Sequence, residues 1–366
     1  MAQAARHHTG EQLPAMDLTM PPTPCPATGV AIGAPEAVGL SAVICTRNRT
    51  AQLARALESL LDQDARPSEI LVIDNAPSDD ATRRLLRRWA MSHATVRYME
   101  EPAQGLNFAR NRALREARQD IVAFLDDDAV ADRGWCRTLT EALLRHPRAA
   151  VCTGRVEALA PSTDAQRLFE ANGGFSRGVA RILLPSDARR PLHGRPAPLI
   201  AWAVSIGNGA SFAVRRHTVR AMGGFDEALD LGAALPGGGD LDLFWRALRA
   251  GHELVYEPTA LAWHEHRRTF NEMVEQLAGH QRALIAFLCK SAASTRGAAR
   301  LPVLAFLAWR LVKPGSRLLL RLVGQDPLPA AALRRMWTQS VRGLGAYPAA
   351  RRLAARRAAG QATETA

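Results

Sequence analysis

Short hydrophobic runs alternate with amphipathic stretches along residues 39 to about 145. The runs have the length and the β-branched content of buried strands, and they lie at 40–46, 69–75, 96–99 and 121–125. Leucines recur at helical spacing after the first run, at Leu53, Leu57 and Leu60. Because parallel strands need crossover helices, this repeat predicts an α/β fold with a mostly parallel sheet flanked by helices.

The regular alternation ends after a helix predicted over about 132–145. A long mixed segment at 161–198 is typical of active-site loops. The remaining strand-like stretches are glycine-led or short, and they lie at 150–158, 207–216, 254–256 and 260–263. From Arg268 onward the pattern is helical, with breaks expected at Pro302, at Pro314-Gly315 and at 326–329.

These changes of pattern divide the chain into three parts. Residues 1–38 are rich in Pro and Ala without periodicity and are predicted to be a mobile tail. Residues 39–270 are predicted to form the α/β domain. Residues 271–366 form a basic helical C-terminal extension.

The net charge of +12 is concentrated at the end of the chain, where residues 267–366 hold 17 of the 47 Lys and Arg but only four of the 35 acids. Such clustering indicates an anionic partner, and the lack of interleaved aromatic residues argues against nucleic acid. Two interpretations stay open for residues 296–322. A basic amphipathic segment lies on an anionic membrane surface, or an ordinary helix packs on the core with its arginines in water.

Five scattered cysteines show no spacing typical of a zinc site or a redox dithiol. The amino terminus lacks a signal pattern, and the longest late apolar stretch, 301–309, is about half of the ~20 residues that a spanning helix needs. We therefore expect a cytoplasmic protein, peripheral at the inner face of the cytoplasmic membrane if residues 296–322 bind lipid.

Three consecutive carboxylates, Asp126, Asp127 and Asp128, end the fourth strand-like run. Ligands of open α/β sheets bind at the carboxyl ends of the strands, and adjacent carboxylates repel one another unless a cation lies between them. The hard oxygen ligands preferred by Mg²⁺ or Mn²⁺ are of this type. The alternative is a solvated acidic turn that caps the next helix.

A second group of polar residues lies late in the domain. Asp240 follows three glycines at a predicted helix start, where the helix dipole favours an ionised carboxylate, so it is a candidate general base or simply an N-cap. His264 ends a short strand, as a ligand or as a structural histidine. Gly209 lies in a glycine-rich turn that lets the backbone approach a ligand.

The order of these motifs resembles that of the family-2 glycosyltransferases, which have the Rossmann-like GT-A fold. The resemblance covers roughly residues 39–270. It is carried by Thr46-Arg47-Asn48-Arg49, Val72-Ile73-Asp74-Asn75, Gly105 to Asn111, Phe124-Leu125-Asp126-Asp127-Asp128-Ala129, Gly207 to Arg216, Gly223-Gly224-Phe225-Asp226-Glu227, Gly239-Asp240-Leu241-Asp242-Leu243 and Trp263-His264.

The resemblance implies a metal-dependent, inverting transfer from a UDP-, dTDP- or GDP-sugar to a saccharide or lipid-linked acceptor in cell-surface glycan or glycolipid synthesis. It implies that Asp128 and His264 bind Mg²⁺ or Mn²⁺ and that Asp240 is the catalytic base. The residues implied in nucleotide-sugar binding are Thr46, Arg47, Asp74, Arg110, Asp126, Asp127 and Gly209.

Two departures from the family pattern change these expectations. The family commonly has Glu-Asp where this chain has Gly239-Asp240, so Asp242 shares or takes the role of base. The Gln-x-x-Arg-Trp signature of processive relatives is absent, which favours the addition of one sugar per acceptor.

Two other functions are consistent with part of this sequence pattern. A sugar-phosphate nucleotidyltransferase would also use Mg²⁺, but it usually has a Gly-rich Arg-Lys phosphate loop, which does not follow residues 40–44. A non-catalytic protein would bind anionic lipid or nucleic acid through the basic C-terminal part.

Overall fold

The computed structural model describes residues 38–188, 192 and 197–364. Apart from Val38, the tail predicted over 1–38 lies outside the described residues, as does part of the 161–198 segment.

Within these described ranges, nine strands form one mixed sheet in the order β3-β2-β1-β4-β8-β6-β9-β5, with β7 paired to β9. Their bounds are β1 Val38–Thr46, β2 Pro67–Asn75, β3 Val96–Glu101, β4 Ile121–Asp126, β5 Ala129–Ala131, β6 Ala149–Ala158, β7 Ile182–Leu184, β8 Ser211–Arg215 and β9 Glu253–His264. Strands β1 to β4 are mutually parallel where they pair, β8 runs antiparallel between β4 and β6, and β6 is parallel to β9. The predicted α/β class and mostly parallel sheet are confirmed.

In the part of the chain that the structure describes, twelve α-helices surround or extend this sheet. Their bounds are α1 Thr50–Leu61, α2 Ala81–Ser92, α3 Leu106–Glu116, α4 Trp135–Arg145, α5 Asp164–Ala171, α6 Leu199–Ser205, α7 Arg216–Ala221, α8 Gly239–Arg249, α9 Phe270–Ser294, α10 Arg300–Leu322, α11 Ala330–Gly343 and α12 Ala346–Glu364. Short 3₁₀ turns lie at Gly232–Ala234 and Gly297–Ala299.

Each face of the sheet covers its own hydrophobic core. Ile44 and Ala123 pack toward α1 and α4, whereas Val43 and Phe124 pack on the opposite face against α3 and α8. This burial on both faces explains why the strands read as continuous apolar runs. Phe287 of α9 belongs to the second of these cores, so the first helix after residue 270 packs directly under the sheet.

The two short strands predicted at 254–256 and 260–263 are one strand, β9. Its pairing with β6 jumps from Gly154–Glu257 to Arg155–Leu261, which accommodates Pro258 in an irregularity of the ladder. A Cβ on Gly154 would lie 2.4 Å from the Ala260 carbonyl oxygen, so only glycine permits this close approach. The prediction of two strands was wrong because Pro258 interrupts the local pattern but not the strand.

The breaks expected at Pro302 and Pro314-Gly315 are also wrong, because α10 runs through both. Pro302 lies in the first turn, where a missing N–H costs no intrahelical bond. Pro314 leaves the carbonyl of Arg310 without its helical donor, and the side chain of Gln281 on α9 donates to that oxygen at 3.2 Å. A residue on another helix therefore supplies the lost hydrogen bond.

Helix α10 directs three of its basic side chains toward the domain and exposes many of its apolar ones. Arg310, Lys313 and Arg317 line a cavity against the α/β domain. Large apolar side chains are exposed on the other side: Leu301, Leu304, Trp309, Val312, Leu319, Leu320 and Leu322. The interpretation with arginines facing water is therefore wrong for these three residues. Across the part of the chain that the structure describes, no helix is long and apolar enough to cross a membrane.

Candidate active site

The candidate site lies where β1, β4 and β9 end. The register of the parallel strands places Cys45 beside Asp126, and the short strand β5 pairs antiparallel with β9 so that Ala129 lies opposite His264. The carbonyl of Asp128 accepts a hydrogen bond from the backbone N–H of Glu265 at 2.9 Å. The chain therefore returns to the acidic turn after more than a hundred residues and delivers an imidazole to it.

Asp126, Asp128 and His264 each place one potential ligand atom within 4.8 Å of the others. The Nε2 atom of His264 lies 3.0 Å from Oδ1 of Asp128, and both side chains are buried. Burial alone would disfavour both charges, but their attraction outweighs it. The net effect raises the pKa of His264 and holds the pKa of Asp128 well below its usual range.

For Asp126 the attraction of Arg110 and His264 does not outweigh burial. Burial, together with the neighbouring Asp128 carboxylate, raises the pKa of Asp126 to about 7. Asp127 is turned to the other side, where it accepts hydrogen bonds from Thr46 Oγ1 at 2.8 Å and from Arg49 Nη1 at 3.0 Å. Arg49 also lies 3.1 Å from Asp128 Oδ2.

These residues fit a divalent cation. Two carboxylates and an imidazole form a donor set that Mn²⁺ accepts, and the carboxylates alone suit Mg²⁺. The raised pKa of Asp126 shows that burial and the Asp128 carboxylate outweigh the attraction of Arg110 and His264, so a bound cation would stabilise its ionised form. The Nδ1 atom of His264 is buried without a hydrogen-bond partner among the described residues, while its Nε2 faces the carboxylates.

The strand-end cavity, of about 460 Å³, opens directly above this cluster. It is bordered by Thr46, Arg47, Arg49, Asn75, Asp126, Asp127, Asp128, Asp230, His264, Arg267 and His280, among others. Basic, acidic and amide groups converge there beside apolar surface from Leu106, Phe175 and Pro236. That composition suits a phosphorylated, hydrophilic ligand.

A helix cavity of about 430 Å³ adjoins it and is lined partly by α9, α10 and α11. The two cavities share Leu106, Asp126, Phe175, Asp230, Pro236 and His280 in their walls. Asp240 and Gly209 border the helix cavity. Gly238 precedes α8 with a φ of 92°, a left-handed conformation that brings the first turn of the helix to the cavity wall.

Arg110 lines the helix cavity and contacts Asp230, which borders both cavities. Its guanidinium donates to the Gly209 carbonyl at 3.1 Å and lies 3.5 Å from Asp230 Oδ2. Asp230 also accepts the backbone N–H of Gly239 at 2.8 Å, next to Asp240. Burial, only partly offset by Arg110, raises the pKa of Asp230 to about 6.

Two predicted site residues do not border either cavity. Asp242 is buried, with Lys290 Nζ at 2.6 Å and Arg246 Nε at 2.7 Å from its carboxylate. Asp74 on β2 lies beside Thr46 on β1 in the sheet. Its carboxylate accepts a hydrogen bond from the Tyr98 hydroxyl at 3.2 Å, and its Oδ1 atom is buried without a partner among the described residues. The structure therefore brings together Thr46, Arg47, Asp126, Asp127, Asp128 and His264 around one cavity, with Arg110, Gly209 and Asp240 on the other.

Several residues that border the cavities were not predicted from the sequence. Arg49 lies within a quoted motif and Asp230 follows another, and only their charge could have indicated that they bind a ligand. His280, Arg177 and Arg310 come from a mixed loop and from late helices, where no motif marks them. Only the tertiary packing of the C-terminal helices brings His280 and Arg310 to the site.

Comparisons with known proteins identify sequence relatives and structures that share the fold. The family model described as "Glycosyl transferase family 2" matches residues 41–214. The pre-mycofactocin glycosyltransferase of Mycobacterium tuberculosis is 29% identical over 249 residues, which cover 65% of this chain and 45% of that protein. N-acetylgalactosaminyltransferase 6 of Drosophila melanogaster is 26% identical over 226 residues, 59% of this chain and 32% of that protein. The chain thus spans less than half the length of these curated relatives.

Solved structures share the fold. The mannosyltransferase PcManGT from Pyrobaculum calidifontis, in complex with GDP-Man and Mn²⁺, aligns with a TM-score of 0.55 at 19% identity over 87% of this chain and 89% of that one. S. aureus TarS 1-349 in complex with UDP-GlcNAc aligns with a TM-score of 0.52 at 14% identity over 83% of this chain and 89% of that one. Likeness at these identities establishes the GT-A fold.

The buried position of Asp242 leads to a stability prediction. Lys290→Met should cost about 1.5–3 kcal/mol of unfolding free energy at pH 7, because it removes a charged hydrogen bond and leaves the buried Asp242 with Arg246 as its remaining partner. Lys290 Nζ lies 2.6 Å from Asp242 Oδ1 and 2.5 Å from Asp226 Oδ2. Although burial opposes it, Lys290 lowers the pKa of Asp226, so this stability is lost as the pH falls and the cost should shrink toward pH 3.

Urea unfolding at both pH values measures this cost. Arg118→Met is the matched control, since that guanidinium is 70% exposed and lies 3.9 Å from its carboxylate. It should change stability by less than about 1 kcal/mol. An equally small change in Lys290→Met would show that Asp242 is not held by this pair.

Proposed function

We propose that this chain, in which residues 41–214 belong to glycosyltransferase family 2 within a GT-A fold, transfers one sugar from a nucleoside-diphosphate sugar to an acceptor hydroxyl, with inversion at the anomeric carbon. The observation that carries the proposal is the junction of two cavities. The acid and imidazole cluster borders one, Asp240 borders the other, and Asp126 belongs to both walls.

The strand-end cavity would receive the nucleoside diphosphate. Asp126, Asp128 and His264 would hold Mg²⁺ or Mn²⁺, which when bound neutralises the charge of the two phosphates as they depart. Arg47, Thr46 and Asn75 border the part of the cavity nearest β1 and β2, where the nucleoside fits. Asp74 has a buried oxygen without a partner among the described residues, which leaves an acceptor for a nucleobase. Because Asp74 does not border the cavity, this contact remains a prediction.

Asp240 is the proposed general base. It would accept the proton of the acceptor hydroxyl while that oxygen bonds to the anomeric carbon and the bond from this carbon to the phosphate oxygen breaks. Arg177 and His280 lie close enough for electrostatic interaction with Asp240. Asp242, with its carboxylate neutralised by Lys290 and Arg246, would instead fix the first turn of α8.

Family membership and the relatives named as glycosyltransferases do not favour either alternative, a nucleotidyltransferase or a non-catalytic binding protein. A nucleotidyltransferase would release inorganic pyrophosphate or a nucleotide sugar, whereas the proposed transferase releases a nucleoside diphosphate. The absence of the processive signature supports a single transfer.

Donor binding should depend on the ion. With Mn²⁺ present, one class among UDP-, dTDP- and GDP-sugars should raise the melting temperature, since a ligand at 100 times its Kd stabilises the native state by about 2.7 kcal/mol. Asp128→Asn should abolish the shift. Asp62→Asn, whose wild-type side chain is 70% exposed, should retain it.

The Mn²⁺-dependent shift of the melting temperature should also depend on pH. Because the pKa of Asp126 is raised to about 7, the ion must displace a proton at lower pH, and the Mn²⁺-dependent shift should be larger at pH 8 than at pH 6. A shift that survives Asp128→Asn, or that is independent of pH, would contradict this assignment of the ion site.

Turnover should separate from binding at Asp240. Asp240→Asn should keep the donor-induced shift and lower the transfer rate by about 10²–10⁴-fold, the usual contribution of a general base. Asp164→Asn, whose wild-type side chain is 98% exposed, should transfer at the normal rate. Nucleoside diphosphate release provides the measurement, and full activity of Asp240→Asn would refute the role.

We also propose that the outward face of α10 contacts a membrane surface. Its exposed apolar residues, Trp309 and Val312 among them, suit insertion at a lipid interface, with the exposed Arg300 and Arg321 beside them. Vesicle flotation should recover more protein on anionic than on neutral vesicles. The double variant Val312→Glu, Leu319→Glu should remain in solution, and recovery indifferent to lipid charge would contradict the proposal.

A further inference from the structure

The helix cavity carries more positive charge than the sugar-transfer chemistry uses. Arg177, Arg310, Lys313 and Arg317 all line it. Arg317 is neutralised by Asp326, with an Nη2–Oδ1 distance of 2.9 Å. Among the described residues no carboxylate lies within 4.0 Å of a side-chain nitrogen of Arg177, Arg310 or Lys313.

The position of Arg310 is built by two features of the fold. Pro314, one turn later, frees the Arg310 carbonyl, which accepts from Gln281 Nε2 at 3.2 Å. The same Gln281 side chain accepts from Arg310 Nη2 through its Oε1 at 3.2 Å. Gln281 is only 4% exposed, so one buried amide holds both the backbone and the guanidinium of Arg310.

These cations are costly in the free protein. Burial lowers the pKa of Arg310 to about 10 and that of Lys313 to about 8, with each also repelled by neighbouring arginines. The Nε atoms of Arg310 and Arg177 are buried and lack hydrogen-bond partners among the described residues. Unpaired buried donors and unpaired charges of this kind are expected where a ligand completes the site.

The other walls of the cavity are apolar. Leu277 and Leu284 of α9 and Met336 of α11 border it beside the basic group. A ligand that fits both surfaces has an anionic head and a hydrocarbon portion. A sugar hydroxyl alone would leave the cations without counter-charge.

We propose that Arg177, Arg310 and Lys313 form a subsite for a phosphate group of the acceptor, which carries its hydroxyl to Asp240. The inference rests on the proposed function, because it names the acceptor class for the same cavity. Arg310 donates to Gln281 and Arg177 to the Ser176 carbonyl, and phosphate oxygens would supply the negative charge that these neutral acceptors lack. The phosphate belongs either to a lipid-linked acceptor or to a water-soluble phosphorylated one.

The test is calorimetric binding in EDTA, which keeps divalent ions out of the strand-end cavity. Octyl phosphate below its micellar concentration should bind, whereas neutral octyl glucoside should not. Arg310→Ala and Lys313→Ala should each weaken the binding of octyl phosphate by about 10-fold or more, the usual loss for a charged hydrogen bond of 1.5–3 kcal/mol. Arg334→Ala, an exposed arginine of α11, is the matched control and should bind normally.

Inorganic phosphate distinguishes the two sources. Much tighter binding of octyl phosphate than of inorganic phosphate supports a lipid-linked acceptor, and equal binding supports a water-soluble one. Failure of both probes to bind, or equal binding by wild type and the Arg310→Ala, Lys313→Ala double variant, overturns the inference.

The Mn²⁺-dependent donor shift is measured on every variant. A retained shift proves that the variant is folded and keeps the donor site. If the shift is present and the phosphate probes do not bind, the subsite fails while the proposed function stands. If no nucleotide sugar produces a shift even in the wild type, the proposed function fails first.

Discussion

The pairing of the short strand β5 with the end of β9 is the constraint on which the site depends. It places the imidazole of His264 3.0 Å from Asp128, in a buried turn that already holds two other carboxylates. One of these is partly neutralised by Arg49, and Asp126 is not neutralised by a comparable contact. Added positive charge would stabilise such a cluster further, which is the physical basis for proposing a divalent cation there.

The two cavities differ in charge. The strand-end cavity combines the acids and the imidazole with Arg47, Arg49 and Arg267, whereas the charged groups of the helix cavity include Arg310 and Lys313 of α10 as well as Asp240. The C-terminal helices therefore line one of the two cavities. Phe287 anchors α9 in the core under the sheet, and Gln281 of α9 holds Arg310 of α10, so this basic wall is tied to a rigid element.

Much of the α/β part could be predicted from the sequence, because buried parallel strands and amphipathic helices leave strong local patterns, as at 40–61 and 121–126. The rest depends on distant partners. The helical path through Pro314 relies on Gln281, and the continuity of β9 past Pro258 relies on Gly154 in another strand. Asp242 and Asp240 look alike in sequence, and the pairing of Asp242 with Lys290, 48 residues later, and with Arg246 distinguishes the buried carboxylate from the one at the cavity.

The central claim is that a divalent ion occupies the cluster formed by Asp126, Asp128 and His264. The most direct measurement is anomalous diffraction from crystals grown with Mn²⁺ and a nucleoside diphosphate. We expect a manganese peak in contact with Asp128 and His264, with the diphosphate in the strand-end cavity. A nucleotide bound there without a peak, or a peak bound to other residues, would contradict the claim.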